Sequence, residues 1–404
     1  MKGRVVPCCV IFAVVIAALV QVLVSFDRSG RIPAKMLGNP VAVVPEIISK
    51  SSAEALRALV KTMGREGYAT NINDLDSYTT THEHVGEARP IGTDGRCDHP
   101  FLVPSSDGTL CHLAGRIDIG RHFIMSGGVD GLREPYETLI SRTLSFGKYM
   151  FNLTQYPEAA ALFKSPQFVA AARKVCPAAK QHLDPFQFNF IIQVPGQTVP
   201  LHIDGAYFWG ATRFQMPQWL LAAMVFSGLF EDAFVDQVQV VAYLHEWDVE
   251  SRASAGEFIH WATAAPERVV PNPRAGTAVD GSKTVHAAVR YAGRKGGDAT
   301  PPPLDKSVRA LLRFEGGDEW SLSTGVPMAR IRNYTWDDLR ISLVYRGRCF
   351  ASAEDAARYA GRGGPEESML PIDSILRTLS ADLERRGIVP SVDAAMAMDR
   401  LQLS

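Results

Sequence analysis

Short β-branched and aromatic runs bounded by Gly, Pro and Asp set the strongest limit on what this chain can fold into. They fall at 186–194 (FQFNFIIQV), 237–244 (QVQVVAYL), 257–261, 285–291, 309–314 and 340–345. Runs of this length that do not alternate with helical segments predict a barrel or jelly roll rather than β-α units. The helical patterns lie around them instead. Ser51-Ser52-Ala53-Glu54 fits a capping box ahead of Leu56, Leu59, Val60 and Met63 at helical spacing. Further helices are expected over 136–149 and, after the start signal Ser165-Pro166, over 166–175. A tail from Ser352 places Ile375, Leu376, Leu379 and Leu383 on one helical face. The apolar run 219–230 is too short to span a bilayer and is assigned to the core. Residues 67–131, rich in Thr, Asp, Gly and His, read as loops and short strands.

Composition excludes some classes. A hydrophobic fraction of 46% and a charged fraction of 21% over 404 residues allow a sizeable core. A net charge of −1 offers no basic field for nucleic acid, so none is expected as a partner.

The amino terminus is unlike the rest. From Val5 to Val24 only Pro7 and Gln21 interrupt an apolar run, which as a helix would be about 30 Å long and cross a hydrocarbon core. A cleaved signal peptide is the competing reading. Its small-x-small cleavage site has no good match around 20–26 (VQVLVSF), which favours a signal anchor at 5–25 with a short tail at 1–4 outside the lumen. Basic residues on both flanks leave orientation open. Two sequons, Asn152-Leu153-Thr154 and Asn333-Tyr334-Thr335, lean towards the lumen of the endoplasmic reticulum or Golgi. Cys97, Cys111, Cys176 and Cys349 lie outside the apolar run. Cys97 with Cys111 would close a short loop, and four unpaired thiols are the alternative.

The chemistry is carried by His202-Ile203-Asp204. Residues i and i+2 of a strand share a face, so both side chains reach one metal, and His286 would complete a two-His-one-carboxylate set. A second His-x-Asp, His182-Leu183-Asp184, precedes Pro185 where a helix is expected to give way to a strand, and its Asp reads as a turn residue. His202-Ile203-Asp204 instead follows the turn Pro195-Gly196 and a strand, at the mouth of a sheet. His82-Glu83-His84 also has metal-like spacing, but reads as an exposed polar turn.

With these pieces in order, residues 186–346 resemble the double-stranded β-helix (jelly roll, cupin-like) of the 2-oxoglutarate and Fe(II)-dependent dioxygenases, and within them the prolyl-4-hydroxylase-like branch. The matching segments are IIQVPGQ, His202-Ile203-Asp204, Tyr243-Leu244-His245-Glu246-Trp247, Gly256-Glu257-Phe258, Val285-His286-Ala287 and Arg340-Ile341-Ser342-Leu343-Val344-Tyr345. The resemblance implies that His202, Asp204 and His286 hold Fe(II). It also implies that Arg340 forks onto the distal carboxylate of 2-oxoglutarate, with Tyr243 and Ser342 assisting. The implied reaction hydroxylates a C–H bond while 2-oxoglutarate becomes succinate and CO2, with ascorbate as a supporting reductant. A peptide or protein substrate, such as a peptidyl proline, fits the branch. Tyr207, Phe208 and Trp209 would line an aromatic pocket for other groups, or else fill the core.

The implied organisation places a stem and irregular region at 26–130, helical support at 131–185, the catalytic domain at 186–350 and a helical extension at 351–404. The pattern departs from the family in one place, because a Pro/Gly-rich insertion, 293–336, separates His286 from Arg340. Arg290, an even number of residues from His286, and Arg294 in the following turn stand as rivals for the carboxylate. Two other classes remain open: a non-catalytic tethered binding module, and a metal cupin that does not use 2-oxoglutarate.

Overall fold

The computed structural model describes residues 32, 34–70, 89–96, 102–104, 109–113, 134–212, 216, 218–305, 308–361 and 370–387. In chain order the strands are β1 (Val41–Val44), β2 (Tyr68–Thr70), β3 (Arg89–Pro90), β4 (Leu102–Pro104), β5 (Leu110–Leu113), β6 (Phe146–Met150), β7 (His182–Gln193), β8 (Val199–His202), β9 (Gln237–Tyr243) and β10 (Arg252–Ala255). There follow β11 (Phe258–His260), β12 (Glu267–Val269), β13 (Gly276–Val279), β14 (His286–Ala288), β15 (Tyr291–Arg294), β16 (Ala310–Gly316), β17 (Glu319–Thr324), β18 (Ala329–Thr335) and β19 (Arg340–Phe350). The helices are α1 (Lys50–Gly64), α2 (Tyr136–Thr143), α3 (Pro157–Leu162), α4 (Pro166–Val175), α5 (Gln218–Ser227), α6 (Ala353–Gly361) and α7 (Ile372–Arg385).

The molecule is mainly β, with antiparallel sheets and flanking helices in a jelly-roll-like arrangement. A ten-stranded sheet runs β1-β13-β9-β19-β7-β6-β2-β16-β17-β18, and a four-stranded sheet runs β12-β11-β14-β8. The middle of the large sheet explains both core and site. Side chains alternate across a strand, and the register aligns Arg346 with Gln187 on one side and Gln239 on the other, while Leu343 lies between Phe190 and Ala242. One face of β7, β19 and β9 therefore carries Phe188, Phe190, Ile192, Ile341, Leu343, Tyr345, Val238 and Val240, all buried. That face packs on Leu56 and Val60 of α1, Ala159 and Leu162 of α3, and Phe168 and Ala172 of α4. Tyr345 sits 5.1 Å from the Phe168 ring and 5.3 Å from Phe163. Burying each such aromatic contributes about 1.5–3 kcal/mol, an upper bound because the unfolded chain is itself partly collapsed. The opposite face carries Gln187, Asn189, Gln193, Gln237, Gln239, Tyr243, Arg340, Ser342 and Arg346, also buried. Helix packing on one side thus leaves a polar inner wall on the other.

Several local expectations change. Helix α1 is capped by Ser49, whose Oγ accepts from the Ser52 amide at 3.1 Å, rather than by a box built on Ser51 and Glu54. The helix expected over 136–149 ends at Thr143, and Phe146–Met150 becomes β6 because the free edge of β7 offers it a complete ladder. The 293–336 segment is not an irregular insertion. Most of it forms the β16-β17-β18 meander, which joins the large sheet through β2. The run 309–314 is therefore part of this extension. The apolar run 219–230 supplies α5, whose Leu220, Leu221 and Met224 pack on Ile375, Leu376 and Leu379 of α7, although Phe226 stays exposed.

Cys176, at the end of α4, is bonded to Cys349 near the end of β19, which replaces the reading of four unpaired thiols. Cys97, and so the proposed Cys97–Cys111 loop, lies outside the described residues, as does His82-Glu83-His84. The apolar run 5–24 lies outside them too. Among the described residues no helix is long and apolar enough to cross a membrane.

Candidate metal centre and its anion pocket

Strand β8 ends on His202, which pairs directly across the ladder with His286 on β14. Their rings are 4.3 Å apart. Ile203 turns the other way into the apolar layer with Leu201, Ile259, Trp261 and Val285, so the alternation sends Asp204 back towards the histidines. Asp204 lies just past the strand, where its amide donates to the Gly281 carbonyl at 2.8 Å. The turn carrying Gly281 is held by Asp280, whose Oδ1 accepts from the Ser282 amide at 3.1 Å and whose Oδ2 accepts from the Gln237 amide at 3.0 Å. A Cβ at Gly281 would force Asp204 Oδ2 and Gln239 Nε2 out of their places, so the glycine leaves room for both.

One ligand atom each from His202, Asp204 and His286 lies within 4.8 Å of the others. Nε2 of His202 is 3.7 Å from Asp204 Oδ1, and Nε2 of His286 is 3.5 Å from Oδ2. Both Nδ1 atoms face backbone carbonyls, Pro200 at 2.6 Å and Thr284 at 2.9 Å. Each Nδ1 therefore donates its proton, which leaves the Nε2 lone pair for an ion. Burial, with His202 alongside, pushes His286 down to about 3, so its ring is neutral. Burial works against the charge on Asp204, but the Arg346 guanidinium, with the two imidazoles, outweighs it and holds the carboxyl well below its usual range. Arg346 pairs with Oδ1, while the buried Oδ2 accepts no hydrogen bond. Two imidazole nitrogens and one unsatisfied carboxylate oxygen suit a divalent ion such as Fe(II) and leave further coordination positions open.

A second set of polar atoms stands on the inner wall at the other end of β19. Arg340 is 2% exposed. Its Nη1 donates to Gln193 Oε1 at 2.5 Å and Ser342 Oγ at 2.9 Å, and its Nη2 donates to the Gly256 carbonyl at 2.8 Å. The guanidinium lies 5.1 Å from the Tyr243 ring centre. Gly256, at φ +73°, allows this approach, since a Cβ would stand 2.9 Å from Arg340 Nε. The other buried arginines each have a carboxylate: Arg142 has Glu134, Arg252 has Asp337 and Arg346 has Asp204. Among the described residues Arg340 has none within 4 Å. Arg340 Nε, Gln193 Nε2 and the Tyr243 hydroxyl are buried without a hydrogen-bond partner. All three can donate. Burial raises the Tyr243 hydroxyl pKa, against the pull of Arg340, so it keeps its proton. Buried donors around a guanidinium that has no ion pair among the described residues suit an anionic acceptor.

The rivals lie elsewhere. Arg290 is exposed beyond the end of β14, and Arg294 is exposed and paired with Asp337 at 2.6 Å. The second His-x-Asp begins β7 instead of occupying a turn before it. There His182 is exposed and Asp184 pairs with Arg348 at 2.6 Å. Tyr207 and Phe208 are core, packed on Phe186 and on Phe230 and Phe234, while Trp209 lies against Phe350 and Tyr359. A cavity of about 230 Å³ bordered by Phe208, Met224, Phe230 and Phe234 has no triad residue in its wall. Arg346, Gln239, Gln193 and Gly281 were given no role from the sequence, and Gly256 appeared there only within the segment Gly256-Glu257-Phe258. The signals for two of them were the even spacing of 340, 342 and 346 and a glycine five residues before His286.

No protein-family model matches the chain, and no curated protein is similar in sequence. Among solved structures the fold is similar to a Pseudomonas putida prolyl-4-hydroxylase, at 11% identity over 77% of this chain and 92% of that one, with a TM-score of 0.33. It is also similar to the non-heme alpha ketoglutarate dependent carbocyclase SnoK from nogalamycin biosynthesis, at 10% identity over 83% and 90%, with a TM-score of 0.35. A third is HygX from Streptomyces hygroscopicus with nickel, 2-oxoglutarate and hygromycin B bound, at 8% identity over 77% and 83%, with a TM-score of 0.32. These likenesses are remote, and the case for chemistry rests on the residues of the site.

Proposed function

We propose that this chain is a 2-oxoglutarate and Fe(II)-dependent dioxygenase of the prolyl-hydroxylase-like kind, its inner strands forming a double-stranded β-helix. The observation that carries the reading is Arg340, a buried guanidinium with no carboxylate within 4 Å among the described residues, on the same strand face as the arginine that braces Asp204. A dicarboxylate that reached from the metal to Arg340 would neutralise that charge and engage the idle donors of Tyr243 and Gln193. A metal cupin without 2-oxoglutarate, or a non-catalytic module, leaves these donors unexplained.

His202, Asp204 and His286 would hold Fe(II), which when bound supplies the redox chemistry that activates oxygen. The chain does the rest. Nδ1 hydrogen bonds fix both imidazoles, and Arg346 fixes the Asp204 carboxylate. Arg340, Tyr243 and Ser342 orient the far end of the co-substrate, and the buried wall excludes water that would compete with the C–H donor. The balanced reaction takes R–H, oxygen and 2-oxoglutarate to R–OH, succinate and CO2, with ascorbate as a supporting reductant. The substrate is a peptide or protein residue such as proline. The 5–25 segment anchors the chain, and the catalytic region lies in the endoplasmic reticulum or Golgi lumen. The Cys176–Cys349 bond supports an oxidising compartment.

The test is succinate release by the detergent-purified full chain supplied with 2-oxoglutarate, with and without Fe(II). Iron-dependent succinate supports the reading, and its absence from metal-loaded, folded protein refutes it.

A further inference from the structure

One of the two edges of the ten-stranded sheet exposes a group of apolar side chains. Strand β18 is the last strand, and among the described residues nothing pairs with its outer side. Val326 is 97% exposed, Met328 44% and Ile331 38%, so the edge and the turn leading into it present apolar side chains. Open strand edges template association with another chain unless charges, prolines, bulges or a covering group block them. A register shift at Ile331 and the half-exposed Arg330, paired with Glu315 at 3.0 Å, blunt the edge in part, but the apolar side chains beside them remain uncovered among the described residues.

The sequon Asn333-Tyr334-Thr335 lies on this strand. Tyr334 turns inward and is 6% exposed, so the alternation sends Asn333 and Thr335 to the solvent face. Asn333 is exposed, with a single 3.4 Å hydrogen bond to Glu319 Oε1. The other sequon is exposed too. Asn152 Oδ1 accepts from the Thr154 amide at 3.3 Å and hydroxyl at 2.6 Å, which turns Nδ2 outward. Neither asparagine touches the metal centre. The Cys176–Cys349 bond fits the oxidising lumen proposed above, where glycan transfer also takes place.

We propose that Asn333 and Asn152 carry N-linked glycans and that the glycan on Asn333 shields the open edge of β18. In the transfer, Asn Nδ2 attacks the anomeric carbon of a lipid-linked oligosaccharide diphosphate. A C–N bond forms, the C–O bond to the diphosphate breaks with its electron pair, and Nδ2 gives up a proton. The inference shares the luminal placement argued above but not the iron chemistry, so succinate release and glycan occupancy succeed or fail separately.

The test uses the full chain expressed with its own amino terminus in a eukaryotic cell. Peptide mass spectrometry after peptide N-glycosidase treatment in heavy-oxygen water should show labelled aspartate at 333 and 152. Asn333→Gln and Asn152→Gln should each remove one mobility step. Enzymatic removal of glycans from the folded Asn152→Gln protein should raise the fraction of higher assemblies several-fold, and Ile331→Lys should reverse that rise. This arm does not depend on Asn333→Gln folding. An unmodified Asn333 peptide in protein that carries the Cys176–Cys349 bond overturns the site. An occupied Asn333 whose deglycosylation leaves the size distribution unchanged overturns the shielding.

Discussion

Replacing Arg340 with alanine should cost the protein its 2-oxoglutarate affinity while leaving the metal in place. Two charge-assisted hydrogen bonds to the distal carboxylate are at stake, from Nε, which has no partner, and from a guanidinium held beside Gln193, Ser342 and Gly256. Each such bond contributes about 1.5–3 kcal/mol, so the loss of two is roughly 3–6 kcal/mol, or about 150- to 25,000-fold in Kd. Arg340→Lys should recover part of this, because an ammonium keeps the charge but loses the fork. Arg290→Ala and Arg294→Ala should stay within a few-fold, since both side chains are exposed. The assay is titration of 2-oxoglutarate into metal-loaded protein, with metal content measured on the same sample. A large loss in Arg294→Ala beside a small one in Arg340→Ala would refute the assignment of the anion pocket.

Other outcomes follow from the same geometry. His202→Ala and His286→Ala should abolish iron binding and turnover while His182→Ala affects neither, because His182 is exposed at the start of β7; full iron retention by the His202 variant in a metal analysis would count against the triad. Gly281→Ala should weaken metal binding by at least about tenfold by displacing Asp204 and Gln239, with thermal unfolding checking that the fold survives. Asp236 gives a pH dependence: burial opposes its charge, but Lys283 and Lys180 outweigh that and lower its pKa. Its contribution is then present above the unfolded value of about 3.9 and is lost as pH falls through the lower folded value, so Asp236→Asn should flatten the acid limb of stability in urea melts below about pH 4.

The parts of the fold that were legible in the sequence are those written in local patterns. The β-branched and aromatic runs mark β7, β9 and β19, although β7 and β19 extend past Asp184-Pro185 and Gly347, the residues that bound those runs in the sequence, and i, i+2 spacing sends His202 at the end of β8 and Asp204 just beyond it to one side. The failures involve partners distant in sequence. Phe146–Met150 has a helical texture until the edge of β7 offers it a ladder. The 293–336 segment looks like an interruption because its anchor, β2, lies more than two hundred residues earlier. Arg290 counts correctly from His286, but β14 stops at Ala288 and the chain bends away. Gln239 and Arg346 join the site only through the register of β9 and β19, a fact no local window contains.

That register also explains how a wall so polar can be buried. Gln187, Arg346 and Gln239 form one cross-strand row beside Asp204, and Gln193 and Arg340 form another farther along. Buried polar groups of this kind cost stability unless each finds a partner. In the first row Arg346 has Asp204 and Gln239 faces His286 Nε2 at 3.3 Å, an interaction a bound ion would replace. Unpartnered atoms remain in both rows, Gln187 Oε1, Gln239 Oε1 and Arg346 Nε in the first, and Gln193 Nε2 and Arg340 Nε in the second with the Tyr243 hydroxyl one step along. The opposite face of the same three strands is aromatic and aliphatic and packs on α1, α3 and α4, and the Cys176–Cys349 bond ties α4 to β19. Apolar burial on the helix side can therefore offset the cost on the inner side and hold the idle donors in place before any ligand arrives. A site built this way binds an anion without first having to order its own walls, and that preorganisation favours affinity. It also leaves a demand for a ligand at both ends of the wall, at Arg340, which has no carboxylate among the described residues, and at Asp204, whose buried Oδ2 accepts no hydrogen bond.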